Sequence, residues 1–268
     1  MDKKALNTMF DHLLHIGNKT NYWSPQMKPY IYGAVNGIHV FNLIETAKRL
    51  DAVKKELSTL AGEGNKILFV ATKLQARDAF AELAESTGHH YVSEKWVPGL
   101  LTNFKTIKRR ISTYLKLAKD LESGALDILT KKEKAAKMLE LEKLDRAFKW
   151  VKDMKTVPKV VVVVDGVFEK QALKEANSLK LNIFSISNTN GDDSVVTDLV
   201  PANTNSVKSL EFLAAEFKAV LKDVKIQKVP RQMHEGKKVS SGYKAPAKKV
   251  EAPKADAPKV EEAKTEEK

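Results

Sequence analysis

The sequence predicts an α/β protein in which a parallel β-sheet lies between layers of helices, and three observations favour this class. The segment KILFVATK at residues 66–73 and the five valines at residues 160–164 are continuous apolar runs of strand length, typical of strands buried on both faces. Segments with helical periodicity follow both runs, as strand–helix–strand connections require. Residues 101–154 hold two consecutive basic helical patterns, which predict a helical hairpin inserted between strands.

Helices and strands alternate along most of the chain. Gly64 and Gly88 follow two of the helical patterns and are typical of helix ends. Residues 23–39 contain two prolines and two glycines among four aromatic residues, and this composition predicts an extended, irregular loop. Outside the hairpin, the predicted helices cover residues 7–15, 43–60, 75–87, 168–180 and 207–221. The predicted strands cover residues 38–43, 66–73, 89–92, 160–164 and 183–187.

The predicted hairpin has an apolar position every three or four residues on each helix, which is the spacing of an antiparallel coiled coil. These positions are Ile107, Ile111, Tyr114, Ala118 and Leu121 in the first helix, and Met138, Leu141, Leu144, Phe148 and Val151 in the second. Ser123-Gly124 ends the first helix, and Thr130 with Glu133 predicts a capping box for the second. A solvated helical pair with ordinary lysine-rich faces is the alternative interpretation.

Positive charge dominates the chain, with a formal net charge of +12 and a pI near 9.5. Residues 101–155 carry 15 Lys or Arg against 8 Asp or Glu, so most of the excess lies in the hairpin. This balance favours a polyanionic partner, and nucleic acid is favoured over a membrane because no helix pairs a basic face with bulky apolar residues. The absence of cysteine excludes disulfides and thiolate chemistry.

Composition divides the chain into three parts. Residues 1–100 and 155–228 are predicted to form one α/β domain, and residues 101–154 the hairpin inserted in it. Residues 229–268 are rich in Ala, Lys, Pro and Glu and are predicted to be a disordered tail. Without an apolar run of 18 residues or a cleavable signal pattern, the protein is expected to be soluble and cytoplasmic.

No assembled catalytic motif is present in the sequence. Gly62-x-Gly64 precedes a strand and lacks the third glycine of a dinucleotide-binding loop, and no phosphate-binding Gly-Lys-Ser/Thr loop occurs. Asp165 ends the valine strand, where a carboxylate either binds a ligand or accepts hydrogen bonds from the next turn; the structural role is favoured. His12 and His15 have a spacing compatible with one metal ion, but an ordinary helix is favoured there too. We therefore expect a non-enzymatic protein without cofactor, metal or small-molecule substrate.

Several segments resemble the bacterial small-ribosomal-subunit protein 2 family. They occur in order over residues 5–222: WSPQMKPYIYGAVNGIH at 23–39, KILFVATK at 66–73, LLTNFKTIKRR at 100–110, LTKKEKAAKMLELEKLDRAF at 129–148, and KEANSLKLNIFSISNTN at 174–190. The resemblance implies a Rossmann-like or flavodoxin-like three-layer sandwich with a protruding coiled-coil hairpin. It also implies a structural component of the small (30S) ribosomal subunit that binds 16S ribosomal RNA between head and body, supports assembly and translation, and contacts neighbouring ribosomal proteins.

Cations, small polar groups and aromatic rings together predict the RNA contacts. Lysine and arginine would pair with phosphates, Thr102 and Asn103 would hydrogen-bond to phosphate or the 2′-hydroxyl, and Tyr22 and Trp23 would stack on unpaired bases. The predicted RNA-binding residues are Lys19, Tyr22, Trp23, Lys28, Lys73, Lys95, Trp96, Thr102, Asn103, Lys105, Lys108, Arg109, Arg110, Lys131 and Lys132.

Two alternative functions come from other classes. One is a flavodoxin-like enzyme or nucleotide-binding regulator that uses the sheet edge near Asp165 and residues 188–190. The other is a coiled-coil adaptor that binds only proteins. Thermal stabilisation by a nucleotide or sugar phosphate would favour the enzyme or regulator. Sedimentation with ribosomes that persists after nuclease treatment would favour the adaptor.

Overall fold

The computed structural model describes residues 3–192, 194–222 and 224. Within these residues the chain forms seven α-helices and eight strands, which belong to a three-stranded and a five-stranded sheet. The predicted disordered tail at residues 229–268 lies outside the described residues, as does the predicted domain boundary at residue 228.

The five-stranded sheet is parallel throughout, with the order β5-β4-β6-β7-β8. Counted from its first strand this order is 2-1-3-4-5, which is a common order among doubly wound α/β sheets. The mixed α/β class and the parallel sheet are therefore confirmed. Its strands are β4 (Ile67–Val70), β5 (His90–Val92), β6 (Val160–Val164), β7 (Asn182–Ser187) and β8 (Asp198–Pro201).

The described residues form seven α-helices, and most of them pack on the two faces of the five-stranded sheet. Predicted end signals at several of them are confirmed: Gly88 is left-handed after α3, and Thr130 and Glu133 form the capping box of α5. The helices are α1 (Lys3–Asp11), α2 (Leu43–Gly62), α3 (Arg77–Thr87), α4 (Phe104–Glu122), α5 (Lys131–Phe148), α6 (Lys170–Ser178) and α7 (Val207–Lys222).

The central sheet is buried on both faces because successive side chains of a strand point in opposite directions. Val160, Val162 and Val164 of β6 join a core with α2, α3 and α7. Val161 and Val163 join a second core with the near half of α4, the end of α5 and α6. All five valines are at most 1% exposed, and burial of each side chain contributes about 2 kcal/mol.

The three-stranded sheet is antiparallel, with the order β1-β3-β2, and only β3 corresponds to a predicted strand. The prediction of an irregular loop over residues 23–39 is therefore wrong in its second half. Asn36 and Gly37, with φ of 50° and 76°, form the tight turn between β2 and β3. The prolines lie in a short 3₁₀ helix, Pro25–Tyr30. The strands are β1 (Ile16–Lys19), β2 (Ile31–Val35) and β3 (Ile38–Phe41).

The helical pair α4–α5 is joined to the second core at the end that adjoins the sheet. Ile107, Ile111 and Tyr114 of α4 are buried in the second core, and the Tyr114 hydroxyl donates a 2.6 Å hydrogen bond to Asp145 of α5. Farther along the pair, Ala118, Leu121, Met138 and Leu141 border an open cavity of about 260 Å³. Tyr114 and Asp145 border the same cavity, whereas Leu117 and Leu126 are buried, so the predicted apolar seam is partly open along its length.

Candidate nucleic-acid interface

The first two turns of α4 carry four exposed cations, Lys105, Lys108, Arg109 and Arg110, here named the α4 basic face. Lys105, Lys108 and Arg109 have the i, i+3, i+4 spacing that places them on one side of the helix. That side lies opposite Ile107, which is buried in the second core, whereas Arg110 is exposed nearer to the buried side. The anchored apolar side therefore fixes the direction in which the cations point.

The protein itself supplies little negative charge to offset the cations of the α4 basic face. A helix N-terminus carries partial positive charge, which disfavours a cation in the first turn, and Lys105 occupies the first turn of α4. The first turn of α4 contains no acidic residue, and Asn103 at its N-cap makes no side-chain hydrogen bond to the helix. Among the described residues, no salt bridge joins any of the four cations to a carboxylate. This end of α4 is suited to an external anion.

A single buried carboxylate fixes the segment that leads into α4. The side chain of Glu175 on α6 is 4% exposed and accepts hydrogen bonds from Gly99 N at 2.8 Å and Leu101 N at 3.1 Å. It also accepts bonds from the Trp96 indole at 3.1 Å and from the hydroxyl of Thr102 at 3.3 Å. These bonds connect one helix of the body to the start of α4.

Hydrogen bonding keeps Glu175 ionised despite its burial. Burial alone would raise the pKa of this carboxyl, but the bonds from Gly99, Trp96, Leu101 and Thr102 together outweigh it. The net effect lowers the pKa of Glu175 below its ordinary value. Glu175 was absent from the predicted site. Its signal in the sequence is one carboxylate among the apolar residues Ala172, Leu173 and Ala176, which are buried on the same helix.

The predicted contacts at residues 95–103 separate into buried and exposed groups. Trp96 is 6% exposed and its indole N–H is bonded to Glu175, so this ring is not available for stacking on a base. Lys95, Thr102 and Asn103 are exposed, although the hydroxyl of Thr102 also points to Glu175. Trp96 therefore supports the α4 basic face from inside the protein, which corrects its predicted place on the RNA-facing surface.

Lys131 and Lys132 lie in the first turn of α5 and are exposed. Glu133 follows them directly, and its carboxylate caps the helix through the Thr130 backbone N–H at 3.0 Å. The partial positive charge of this helix end is thus already matched by an acidic residue. The two lysines remain accessible to a partner, but the local positive charge is smaller than at the α4 basic face because Glu133 offsets part of it.

The loop after β1 presents aromatic rings together with cations. Tyr22 is 58% exposed, and Trp23 is partly exposed with its ring centroid 5.4 Å from that of His39. The backbone of Ser24 donates to the Thr189 carbonyl at 2.8 Å, which ties this loop to the end of β7. Lys19 and Lys28 are exposed on either side of the loop. The arrangement leaves the Tyr22 ring more accessible than Trp23.

Lys73 is engaged within the protein. Its ammonium group donates to Asp165 at 2.7 Å and to Asn205 at 2.6 Å, at the carboxyl edge of the sheet. Asp165 also accepts bonds from the Thr204 hydroxyl at 2.9 Å and from the backbone of Phe168 at 3.3 Å. The hydrogen bond from the turn after β6, which the structural role of Asp165 predicts, is present. The charge of Lys73 is therefore balanced by this ion pair, unlike the cations of α4.

The carboxyl edge of the sheet is held together by further internal hydrogen bonds. Glu169, buried after β6, accepts from the backbone of Thr72 at 2.8 Å and from the Thr72 hydroxyl. Burial raises the pKa of Glu169 above its ordinary value. Asn188 and Asn190, which the alternative nucleotide site requires, bond to Thr189 and Asn18 respectively. These groups satisfy one another, so this edge offers no specific support for the enzyme hypothesis.

Neither His12 nor His15 belongs to a larger cluster. The His12 ring contacts the Thr8 carbonyl at 2.8 Å, and the His15 ring stacks on Phe10 with centroids 4.1 Å apart. Within residues 3–192, 194–222 and 224, no group of three or more His, Asp or Glu side chains could hold a metal ion. In the same part of the chain, no helix has the length and apolar character needed to cross a membrane.

Comparison with known proteins finds a family match over most of the chain. The profile of the family described as ribosomal protein S2 matches residues 9–223. The small ribosomal subunit protein uS2 of Trichormus variabilis is 39% identical over 212 residues, covering 79% of this chain and 80% of the relative. The protein of the same name from Coprothermobacter proteolyticus is 37% identical, with 79% of each chain covered. That of Glaesserella parasuis is 34% identical over 223 residues, covering 83% of this chain and 92% of the relative.

Proposed function

The chain belongs to the ribosomal protein S2 family, and from this membership we propose that it is a structural, non-enzymatic component of the small ribosomal subunit. In this proposal it binds 16S ribosomal RNA at the junction of head and body, contacts neighbouring ribosomal proteins, and supports subunit assembly and translation. It acts in the cytoplasm as part of the ribosome. The family name supports the small subunit as its location, and the α4 basic face supports RNA as its partner.

One observation supports the RNA contact: among the described residues, the four exposed cations near the start of α4 have no carboxylate partner, and the apolar side of this helix is anchored in the body. Mutual repulsion of the four cations opposes this arrangement, as does the helix dipole at Lys105, and phosphate groups would relieve both penalties. Glu175 holds the preceding segment by five hydrogen bonds, so the cations are positioned before RNA arrives. Less conformational freedom is then lost on binding.

Other predicted residues extend this contact. Asn103, at the N-cap, is exposed and its side-chain amide makes no capping bond, so we assign it a phosphate or 2′-hydroxyl, and Tyr22 has the accessible ring for an unpaired base. Lys19, Lys28 and Lys95 add exposed cations. Lys131 and Lys132 approach a second part of the RNA from the far end of the helical pair.

We also propose a specific fold type for the body and for the helical pair. We assign the body to the flavodoxin-like branch of doubly wound sheets, because its strand order is 2-1-3-4-5 when counted from β4. We assign α4 and α5 to a coiled-coil hairpin inserted between β5 and β6. The heptad-like spacing of their apolar residues supports this assignment, and the open cavity at Ala118 and Met138 marks where its packing is loosest.

Co-sedimentation with ribosomes tests the proposed function. Full-length protein is mixed with small subunits that lack their own copy and centrifuged in moderate salt, with and without nuclease. We expect stoichiometric incorporation that nuclease abolishes, because the contacts are mainly to phosphate and ribose. The variant K108Q/R109Q/R110Q should incorporate poorly.

A charge-matched variant on the neighbouring helix provides the control. K134Q/K137Q/R146Q removes three cations from α5 that are already paired with Asp127, Glu140 and Glu142, and should incorporate like the unaltered protein. Protein that stays in the supernatant, or pellets equally after nuclease treatment, would contradict the proposed function.

A further inference from the structure

The amino ends of three neighbouring strands, β4, β5 and β6, border a cavity of about 470 Å³. Lys66 lies immediately before β4, His90 begins β5, and Lys159 lies immediately before β6. The segment that returns from the helical pair adds Lys155 and Asp153 to the lining. Three lysines therefore face one carboxylate around an open space.

A second cavity of about 410 Å³ adjoins the first, because both are lined by Gly88, His90 and Asp153. It adds Lys149 and Lys152 from the end of the helical pair. We name the two cavities together the amino-edge groove. Five lysines line it, against two carboxylates: Lys66, Lys149, Lys152, Lys155 and Lys159, with Glu85 and Asp153.

The positive charge of the amino-edge groove is not neutralised within the described part of the chain. All five lysines are exposed, and none takes part in a salt bridge there. The carboxylate of Glu85 is directed to the Tyr91 hydroxyl, 2.5 Å away. Lys66 donates to the Gly88 carbonyl at 2.6 Å, which fixes its ammonium group at the groove without cancelling its charge.

Packing contacts hold the side chains that form the walls of the groove. His90 belongs to β5, and the rings of Tyr91 and Trp150 pack with centroids 4.8 Å apart. The ammonium group of Lys149 lies 4.5 Å from the Trp150 ring centroid, a cation–π contact. Burial, and then the charge of Lys66, lower the pKa of His90, so its imidazole is neutral near pH 7 and free to donate a hydrogen bond.

We propose that the amino-edge groove binds consecutive phosphate groups of a single-stranded or looped RNA segment. This would be a second RNA contact, separate from the α4 basic face, and it rests on the proposed function in taking RNA as the partner. Five cations spread along two joined cavities match a chain of phosphates. A single free phosphate is instead usually held where backbone N–H groups of a glycine-rich loop converge on one point.

The test measures binding of a dye-labelled oligouridylate to full-length protein over a range of salt concentrations. The variant K66Q/K155Q/K159Q removes the three lysines of the first cavity. Each lost contact with a single strand reduces the salt slope by about 0.7, so the slope should fall by about two units. The variant K66R/K155R/K159R keeps the charges and should retain the slope, which separates a loss of charge from a loss of folding.

Removal of three cations elsewhere controls for the change in net charge. Lys55, Lys208 and Lys222 are exposed on α2 and α7, outside the groove, and K55Q/K208Q/K222Q should leave the slope nearly unchanged. Equal slopes for this control and the groove variant would overturn the proposal. Competition by inorganic phosphate is the further arm: displacement of the oligonucleotide at millimolar phosphate would indicate a free-phosphate site and overturn the assignment to RNA.

The same assay separates this inference from the proposed function. If K108Q/R109Q/R110Q loses binding while the groove variant keeps it, the α4 contact stands and the groove proposal fails. If the groove variant loses binding while the α4 variant keeps it, the groove proposal stands and the proposed role of α4 fails.

Discussion

The two helices of the α4–α5 pair contain the same number of cations but use them differently. Each has six Lys or Arg residues, against two acidic residues in α4 and four in α5. Three cations of α5 form ion pairs within the protein, with Asp127, Glu140 and Glu142, and those of α4 form none among the described residues. Within the described residues, the cations of α4 are therefore all available for a partner, whereas half of those of α5 are paired.

The helix with the unpaired cations, α4, is also the more deeply buried of the two. Four residues of α4 are buried, from Ile107 to Leu117, whereas α5 buries only Phe148 at its end. A helix anchored along one side presents its other side in a fixed direction. The comparison teaches that two helices with equal numbers of cations can differ in how many are paired and in how firmly the helix is anchored, and the proposed RNA contact of α4 depends on both properties.

Replacement of Glu175, which holds the segment before α4, should have the largest effect on stability. In Glu175→Ala the N–H groups of Trp96, Gly99 and Leu101 lose their acceptor in a buried setting, so the free energy of unfolding should fall by about 3 kcal/mol. On α5, Glu142→Ala should cost less than about 0.5 kcal/mol, because its pair with Arg146 is solvent-exposed. Urea unfolding measures both, and similar losses would erase the contrast between the helices.

Loss of charge on α4 should change RNA binding more than an equal loss on α5. K108Q/R109Q/R110Q should flatten the dependence of log affinity on log salt by about two units, at about 0.7 per phosphate contact. K134Q/K137Q/R146Q should leave the slope nearly unchanged, since those cations are paired within the protein. Filter binding to a 16S RNA fragment gives both slopes. Equal flattening would mean that net charge alone governs binding.

Protonation of Glu175 at low pH should weaken the hydrogen bonds that hold the segment before α4. Because the pKa of Glu175 is lowered in the folded protein, its stabilisation is fully present above the ordinary pKa of 4.5. It is lost as the pH falls through the lower folded pKa. The stability difference between the unaltered protein and Glu175→Gln should therefore shrink below pH 4.5 in urea titrations. A difference that stayed constant down to pH 3 would show that the charge of Glu175 is not responsible.

The contact between the helices should give the smallest effect. Burial, and then the hydrogen bond to Asp145, raise the pKa of Tyr114 to about 12. Tyr114→Phe should lower the free energy of unfolding by about 1 kcal/mol at pH 8. The raised pKa means that the stabilisation is present below pH 10 and declines as the pH rises towards 12. The variant should thus match the unaltered protein more closely at pH 11 than at pH 8 in chemical unfolding.

Local patterns were enough to predict the central strands, because continuous apolar runs such as the five valines have few alternatives to burial. The capping box of Thr130 and Glu133 was also predictable, since all its atoms lie within four residues. The hairpin of β2 and β3 was missed although Asn36-Gly37 is a strong hairpin signal, because the neighbouring prolines and aromatic residues favoured an irregular loop.

Long-range pairing could not be predicted from the sequence. Lys73 and Asp165 are 92 positions apart, so whether this lysine is free for RNA depends on how β4 and β6 align. Trp96 has the aromatic ring of a stacking residue but is buried in the second core, where Glu175, 79 positions later, accepts the hydrogen bond of its indole N–H. The groove lysines are ordinary surface residues until the amino ends of three strands bring them together.

A tethered cleavage probe tests the central claim most directly, since the chain has no cysteine of its own. An iron chelate that generates hydroxyl radicals is attached at Lys108→Cys on α4 or at Arg146→Cys on α5, and small subunits are assembled with each protein. We predict strong cleavage of 16S RNA from position 108 and much weaker cleavage from position 146. Equal cleavage, or cleavage from position 146 alone, would contradict the claim that α4 is the helix that faces RNA.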